Sequence, residues 1–355
     1  MADVVSPFSF WAGRRVLLTG HTGFKGAWLA LWLERLGAQV FGVSLAPTEP
    51  GLWDGIGRPG ACLDFTDIRD VAGLERAFAV AKPEIVLHLA AQALVHPSYG
   101  NPAETFEINV VGLANVLDAC RACETVQAVV NVTSDKCYEN REQLWAYREN
   151  EPMGGSDPYS ASKGCAELVT ASYRRSYFSR SGGALLASAR AGNVIGGGDW
   201  SADRLIPDSV RAFSKGQPVR IRNPLAVRPW QHVLEPLSGY LMLAQALVEK
   251  GETFAEGWNL GPVDEDAWPV QKIVETFSAA WGDGAGWEAD DRKYAKEAFL
   301  LRVDASKAKA LLKWGPRLRI GDALVWSAEW YKAVLSGRDA REITLRQIEV
   351  YEGLA

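Results

Sequence analysis

Between residues 15 and 190, short apolar runs alternate with segments whose apolar positions recur every three or four residues. Arg15-Val-Leu-Leu-Thr19, residues 39–44, Ile85-Val-Leu-His-Leu89, Ala128-Val-Val-Asn-Val-Thr133 and residues 185–190 read as strands with no polar face. Residues 26–36 carry Ala27, Leu29, Ala30, Leu33 and Leu36 at helical spacing and stop at Gly37; residues 109–123 carry Val110, Leu113, Val116, Leu117 and Cys120 in the same way. Strands that are apolar on both faces need helices on both faces. The pattern predicts a doubly wound, Rossmann-type parallel sheet. After Gly192, glycine, proline and tryptophan become frequent, and helices are expected at 234–249, 270–280 and 305–312, with a polar surface loop over 282–296. The expected division is a dinucleotide-binding domain of residues 1–190 plus about 229–258, and a smaller, mixed α/β substrate domain of about 191–228 plus 259–355.

Composition narrows the function. The net charge of −5 gives no basic footprint for nucleic acid or an anionic membrane. No apolar run is long enough to span a bilayer, and residues 1–10 lack the basic and apolar regions of a signal peptide, so the expected location is the cytoplasm. The five cysteines are scattered and odd in number, which argues against a disulfide framework. Cys120 and Cys123 form a C-x-x-C, but at a helix C-terminus, where no dipole favours a thiolate.

The first strand runs into Thr19-Gly20-His-Thr22-Gly23-Phe24-Lys25-Gly26 and then a helix. Three glycines there let the chain turn tightly, admit a pyrophosphate to the backbone amides, and pack helix on strand. The alternative, a plain strand–helix turn, does not need this spacing. The acidic residue expected about 20 positions later is missing: strand two ends at Val43-Ser44, with Glu49 the nearest carboxylate and no adjacent arginine for a 2′-phosphate. NAD is favoured over NADP on that ground. Asp67 and Ile68 fall where a third strand would end; they could touch adenine, or Asp67 could be a turn residue.

Two segments carry the candidate chemistry. Tyr159-Ser-Ala-Ser-Lys163 follows Asp157-Pro158, a helix cap and first residue, so Tyr159 and Lys163 share a helix face. A neighbouring ammonium is expected to lower the phenol pKa and let a tyrosinate take an alcohol proton as hydride leaves for nicotinamide. The second, Thr133-Ser-Asp-Lys-Cys-Tyr138, lies at the carboxyl end of a parallel strand, where ligands bind. Ser134 could bond the reacting hydroxyl, and Asp135 and Lys136 offer a proton donor beside an acceptor. A polar loop with a helix cap would explain each residue singly.

These segments, with Arg148-Glu-Asn-Glu-Pro-Met-Gly-Gly155, Arg190-Ala-Gly-Asn-Val-Ile-Gly-Gly-Gly-Asp-Trp200 and Arg228-Pro-Trp-Gln-His-Val-Leu-Glu-Pro236, resemble the extended short-chain dehydrogenase/reductase family over nearly the whole chain. Within it they look like the nucleotide-sugar dehydratases, in particular the branch that acts on CDP-glucose. The resemblance implies NAD-dependent C4 oxidation by Tyr159 with Ser134 and Lys163, loss of the C5 proton and the C6 hydroxyl with Asp135 as acid, and hydride return to C6. It implies further cofactor contacts from Leu89, Ala90 and Ala91, and places Asn109 either near the cofactor or in support of the Lys163 loop. Sugar and nucleotide contacts fall to Gln92, Asn193, Arg204, Leu205, Arg228 and Asn259, with Arg228 the foremost candidate for the diphosphate. His232 is either a nucleotide contact or a structural histidine. The related dTDP-glucose enzymes carry glutamate where this chain has Lys136, which leaves two roles open: C5 base with a depressed pKa, or a cation that stabilises the enolate. The family also implies a homodimer built on helices over about 102–123 and 158–178, a place in deoxysugar and O-antigen synthesis, and no metal. An epimerase, a dehydratase on another nucleotide sugar, or a dinucleotide sensor without catalysis are the alternatives; the epimerase needs no Asp135–Lys136 pair, and the sensor needs neither Tyr159 nor Lys163.

Overall fold

A computed structural model of the chain describes residues 7–48, 50–178, 183–290 and 300–354. Glu49, residues 1–6 of the amino-terminal segment and residues 291–296 of the expected polar loop lie outside them. Twelve strands run through the described residues: β1 (Arg15–Thr19), β2 (Gln39–Ser44), β3 (Ala61–Phe65), β4 (Ile85–His88), β5 (Ala128–Val132), β6 (Leu185–Ala191), β7 (Asn193–Ile195), β8 (Val219–Ile221), β9 (Val227–His232), β10 (Gly257–Leu260), β11 (Ala267–Pro269) and β12 (Trp287–Ala289). Seven of them form one parallel sheet in the order β10-β6-β5-β4-β1-β2-β3. The doubly wound expectation holds. β12, paired with β8, falls inside the stretch 282–296 read as loop.

Alternate residues of each strand feed two different layers. Val16 and Leu18, Ile85 and Leu87, and Val130 and Val132 pack into one core; Leu17, Val86 and Val129 pack into the other. Each strand therefore looks continuously apolar in sequence although it obeys the two-residue alternation of any strand. Helices Phe24–Arg35 and Leu234–Lys250 cover the first face, and helices Val71–Ala81, Leu113–Ala122 and Pro158–Ser176 the second.

A smaller sheet, β11-β9-β7, stands beyond the carboxyl ends of the main strands. The division expected at 229 falls inside β9, and that at 258 inside β10, which is an edge strand of the main sheet. Two helices, Ile320–Leu335 and Ala340–Glu352, were not anticipated by the periodicity reading. The second begins at Asp339, whose carboxylate caps the Glu342 amide, and returns to the first half of the chain. There Glu352 accepts from Trp32 (2.8 Å) and Arg35 (3.0 Å) of the first sheet-covering helix. Fully buried Glu235, at the start of helix Leu234–Lys250, anchors the same region. It accepts the backbone amides of Arg317 and Leu318 and the Tyr351 hydroxyl. Its burial outweighs those bonds and raises its carboxyl to about 6.

Candidate active site

The glycine turn fits a dinucleotide on the room each glycine leaves. Gly20 has φ +74°, and a Cβ there would lie 2.8 Å from the Ala90 amide; a Cβ on Gly26 would lie 2.1 Å from the Gly20 carbonyl. These two are demanded by the chain's own close packing. Gly23 is different: it is exposed, and its nearest neighbour would be the Gly20 carbonyl at 3.4 Å. It also caps helix Phe24–Arg35 without a side-chain hydrogen bond, so a bare helix N-terminus faces outward over an open Cα. That is what an anionic pyrophosphate requires. Thr22 is spent on Ser44 (2.7 Å) and the Leu45 carbonyl, and pins the turn to the end of β2.

Around the turn, Thr19 Oγ1 bonds His88 Nδ1 (2.7 Å) and accepts the Leu89 and Ala90 amides, fixing the strand end that leads to Ala91. Asp67 is bidentate with Arg69 (2.7 Å for the shortest contact), which holds its carboxyl below the ordinary range, and Ile68 is buried under Gly112. Asn109 lies in a π-helical stretch, Glu107–Gly112, within the long segment from Pro102 to Ala122. Its carboxamide accepts the Gln92 amide (2.9 Å) and donates to the Gln92 carbonyl and to Ser162 (2.8 Å), whose hydroxyl bonds the Tyr159 carbonyl. Asn109 thus ties Gln92 to the helix that carries Tyr159 and Lys163. The Gln92 side chain closes on Leu94.

The catalytic candidates converge at the carboxyl ends of β5 and β6. Ser134 Oγ donates to Asp135 Oδ1 (3.0 Å) and accepts the Lys136 amide (3.2 Å). Asp135 Oδ2 is buried with no hydrogen-bond partner, 3.1 Å from where a Cβ on Gly192 would sit. A carboxyl oxygen left bare in a buried site is costly unless a ligand meets it. Asp157 caps the helix Pro158–Ser176 through the Ser160 amide, as expected from sequence. Lys25 lies among these groups: burial and the charges of Arg204, Lys163 and Lys136 push it down to about 7, against an upward pull from Asp135. Lys163 is lowered to about 8 by burial, countered by Cys137 and Glu167.

The phenol behaves differently from the expectation. Tyr159 is pushed up to about 12, mainly by burial and further by Asp135 and Asp157, while a hydrogen bond with Ser134 and the Arg204 charge pull it back. Sharing a helix face with Lys163 does not lower it here, because desolvation of the phenolate is the larger effect.

On the substrate side, Arg204 immediately precedes helix Leu205–Phe213 and pairs with Asp199 (3.2 Å), one-third exposed and close enough to act on Tyr159 and Lys25. Asn193 is half-buried at the start of β7. Arg228 is largely buried in β9 and donates to the Val227 carbonyl. One expected contact, at Asn259, is corrected, and His232 takes the structural one of its two readings. His232 is fully buried between the edges of Trp28 (5.8 Å) and Trp326 (5.7 Å), and its pKa falls to about 3, so it is a neutral core residue. Asn259 is also fully buried, and its carboxamide is committed to Tyr138 (2.7 Å), the Tyr147 carbonyl and the Asp304 carbonyl. Sequence reasoning passed over Glu167 and Arg190, a buried pair (2.8 Å) directly behind the catalytic loop. The available signal was Glu167 four residues beyond Lys163 on the same helix face. Cys120, in the C-x-x-C, is buried and its thiol is pushed up, which disfavours redox chemistry. Among the described residues no cluster of His, Cys, Asp and Glu could hold a metal ion, and no helix is long and apolar enough to cross a membrane.

Residues 16–261 match the NAD dependent epimerase/dehydratase family. The chain belongs to that family. Among its members, a CDP-glucose 4,6-dehydratase of Salmonella typhimurium is 51% identical over 350 residues, 97% of each chain. A dTDP-glucose 4,6-dehydratase of Haemophilus influenzae is 24% identical, covering 89% of this chain and 97% of that one. The family fold also appears in the UDP-glucose 4-epimerase of Thermotoga maritima with UDP-glucose (TM-score 0.79, 22% identity, 90% of this chain and 99% of that one). The UDP-glucose 4-epimerase of Thermus thermophilus in complex with NAD aligns equally well (TM-score 0.78, 23% identity, the same coverage).

Proposed function

We propose that the chain is a CDP-glucose 4,6-dehydratase that uses NAD and yields CDP-4-keto-6-deoxy-glucose and water. The observation that carries this reading is the 51% identity along almost all of both chains with the Salmonella enzyme. The gathering of Ser134, Asp135, Lys136, Tyr159 and Lys163 around one sheet edge supports it independently.

Gly20, Gly23 and Gly26 would admit the pyrophosphate of NAD, which when bound supplies the hydride acceptor for C4 and the hydride returned to C6. The phenolate form of Tyr159, which its raised pKa makes the minor species, would take the C4 hydroxyl proton as the C4–H bond breaks, leaving a ketone that acidifies C5. Lys136 would then take the C5 proton. Asp135, through its bare oxygen, would protonate the departing C6 hydroxyl so that water leaves. An epimerase has no use for such a donor, and the unpartnered Asp135 Oδ2 favours dehydration over that alternative. Arg204 and Arg228 are the candidates for the diphosphate, and Asn193 and Leu205 for the sugar side.

The chain is also proposed to pair as a homodimer through helices over 102–123 and 158–178. Val111 in the first range and Leu168 in the second are exposed apolar side chains, which supports burial against a partner. Sedimentation of Leu168→Glu should give a monomer where the unmodified chain gives a dimer. The functional test incubates the protein and NAD with CDP-, dTDP-, UDP- or GDP-glucose and follows the alkaline absorbance of a 4-keto-6-deoxy sugar. Turnover of another sugar without the CDP sugar overturns the substrate assignment.

A further inference from the structure

Glu167 is almost fully buried on the helix Pro158–Ser176, two turns beyond Tyr159 and one beyond Lys163. One carboxylate oxygen accepts the hydroxyl of Thr133, the residue before Ser134. The other accepts Ser188 (2.7 Å) and the Arg190 guanidinium (2.8 Å), both on β6. Arg190 in turn donates to the Tyr138 hydroxyl (2.7 Å) and the Glu149 carbonyl (3.0 Å). The segment Ser134–Asp135–Lys136 is therefore gripped at both ends, at Thr133 by Glu167 and at Tyr138 by Arg190. Gly164 brings the helix hard against this loop, since a Cβ there would sit 2.9 Å from the Gly154 carbonyl and 3.2 Å from that of Cys137. Gly257 on β10 leaves room for the guanidinium, which a Cβ would meet at 2.5 Å.

A buried ion pair is poor evidence of stability, because desolvating two charges offsets most of their attraction. Its fixed forks do specify register. We propose that the Glu167–Arg190 pair is a positioning element for the reaction: it locks the Tyr159–Lys163 helix to the Ser134–Lys136 loop, so that C4 oxidation and water loss share one geometry. The kinetic side of this inference rests on the dehydratase reading above.

Glu167 also acts on Lys163 through space. The titratable groups that act on that ammonium are Glu167 from its own helix, Cys137 from the loop, His88 from β4 and Lys25 from the glycine turn. Cys137 and Glu167 oppose the effect of burial there, and since burial keeps the Cys137 thiol protonated, Glu167 supplies the standing negative charge. Replacing it by a neutral isostere should let Lys163 lose its proton at lower pH.

The test compares the unmodified enzyme with Glu167→Gln, Thr133→Val and Arg190→Lys. Expected for Glu167→Gln are a kcat lower by roughly tenfold or more at a KM within about twofold, and an alkaline limb of the pH profile about one unit lower. Thr133→Val keeps the ion pair but frees the loop, and should lower kcat without moving that limb. Arg190→Lys keeps the charge but not the fork, and should also lower kcat. NMR titration of the Lys163 side chain, with Lys163→Arg to assign the signal, needs no substrate and should move in the same direction in Glu167→Gln. A folded Glu167→Gln with unchanged kcat and Lys163 titration overturns the proposal, as does a fall in thermal stability and rate with the pH profile unmoved. If Glu167→Gln does not fold, wild-type kcat in Thr133→Val overturns it. Failure of the unmodified protein to turn over CDP-glucose would instead count against the substrate reading, and the Lys163 titration would still decide the electrostatic part.

Discussion

Replacing Glu235 by glutamine should make the stability difference between variant and parent depend on pH in one direction. Glu235 is fully buried and its carboxyl is raised from 4.5 to about 6 in the folded chain. A carboxyl raised on folding stabilises the native state while protonated, below the unfolded pKa. That contribution is lost as pH rises through the folded pKa. A shift of about 1.5 units at 1.36 kcal/mol each gives about 2 kcal/mol lost between roughly pH 4 and pH 7. Glutamine keeps an acceptor for the Leu318 and Arg317 amides and cannot ionise. The two proteins should therefore be close in stability at pH 4, and the variant should gain about 2 kcal/mol on its parent by pH 7. Urea denaturation followed by tryptophan fluorescence at several pH values measures this, and the other titrating groups cancel in the difference. A difference that stays flat, or that favours the parent more as pH rises, refutes the assignment of the raised pKa to Glu235.

Other perturbations separate the roles assigned above. Gly26→Ala forces a Cβ to 2.1 Å from the Gly20 carbonyl, so the turn must open by about 1 Å; kcat/KM should drop by roughly 100-fold, with NAD binding measured calorimetrically weakened in parallel. Lys136→Ala should slow solvent deuterium exchange at C5 by roughly 100-fold or more, and exchange at the normal rate would leave Lys136 as an electrostatic stabiliser only. His232→Ala should cost roughly 2–4 kcal/mol of stability while leaving the KM for CDP-glucose unchanged; a raised KM at unchanged melting temperature would return His232 to the nucleotide site.

The main sheet was legible because β1, β4 and β5 are buried on both faces, and their apolar runs say so directly. β3 carries an acid in Ala61-Cys-Leu-Asp-Phe65 at the sheet edge, and its pattern gave only an expected end near Asp67. Helix Ile320–Leu335 buries Ile320, Ala323, Leu324, Ser327, Ala328 and Tyr331 at helical spacing, but Val325 and Leu335 on its exposed side blur the stripe. In the site, residue type and spacing located Tyr159, Lys163 and the Ser134–Lys136 loop. Motif position could not tell which way a strand side chain points, and so left His232 open and misjudged Asn259. The Tyr159 phenol was misjudged for a related reason: burial and the Asp135 charge, which raise it, come from outside its own helix. No local spacing encodes them.

The contact between Trp32 and Glu352 spans 320 residues. During translation the first sheet-covering helix emerges long before the helix that completes its outer surface. At ribosomal speeds the interval is on the order of tens of seconds. Over that time Trp32 and Tyr351, which meet edge to face at 5.7 Å in the finished protein, have no partner in each other. The nucleotide-binding half is written first but can be sealed only after nearly all the rest has been made, so its final packing must be a late, post-translational event, and the nascent chain must meanwhile keep an apolar flank from sticking to its neighbours.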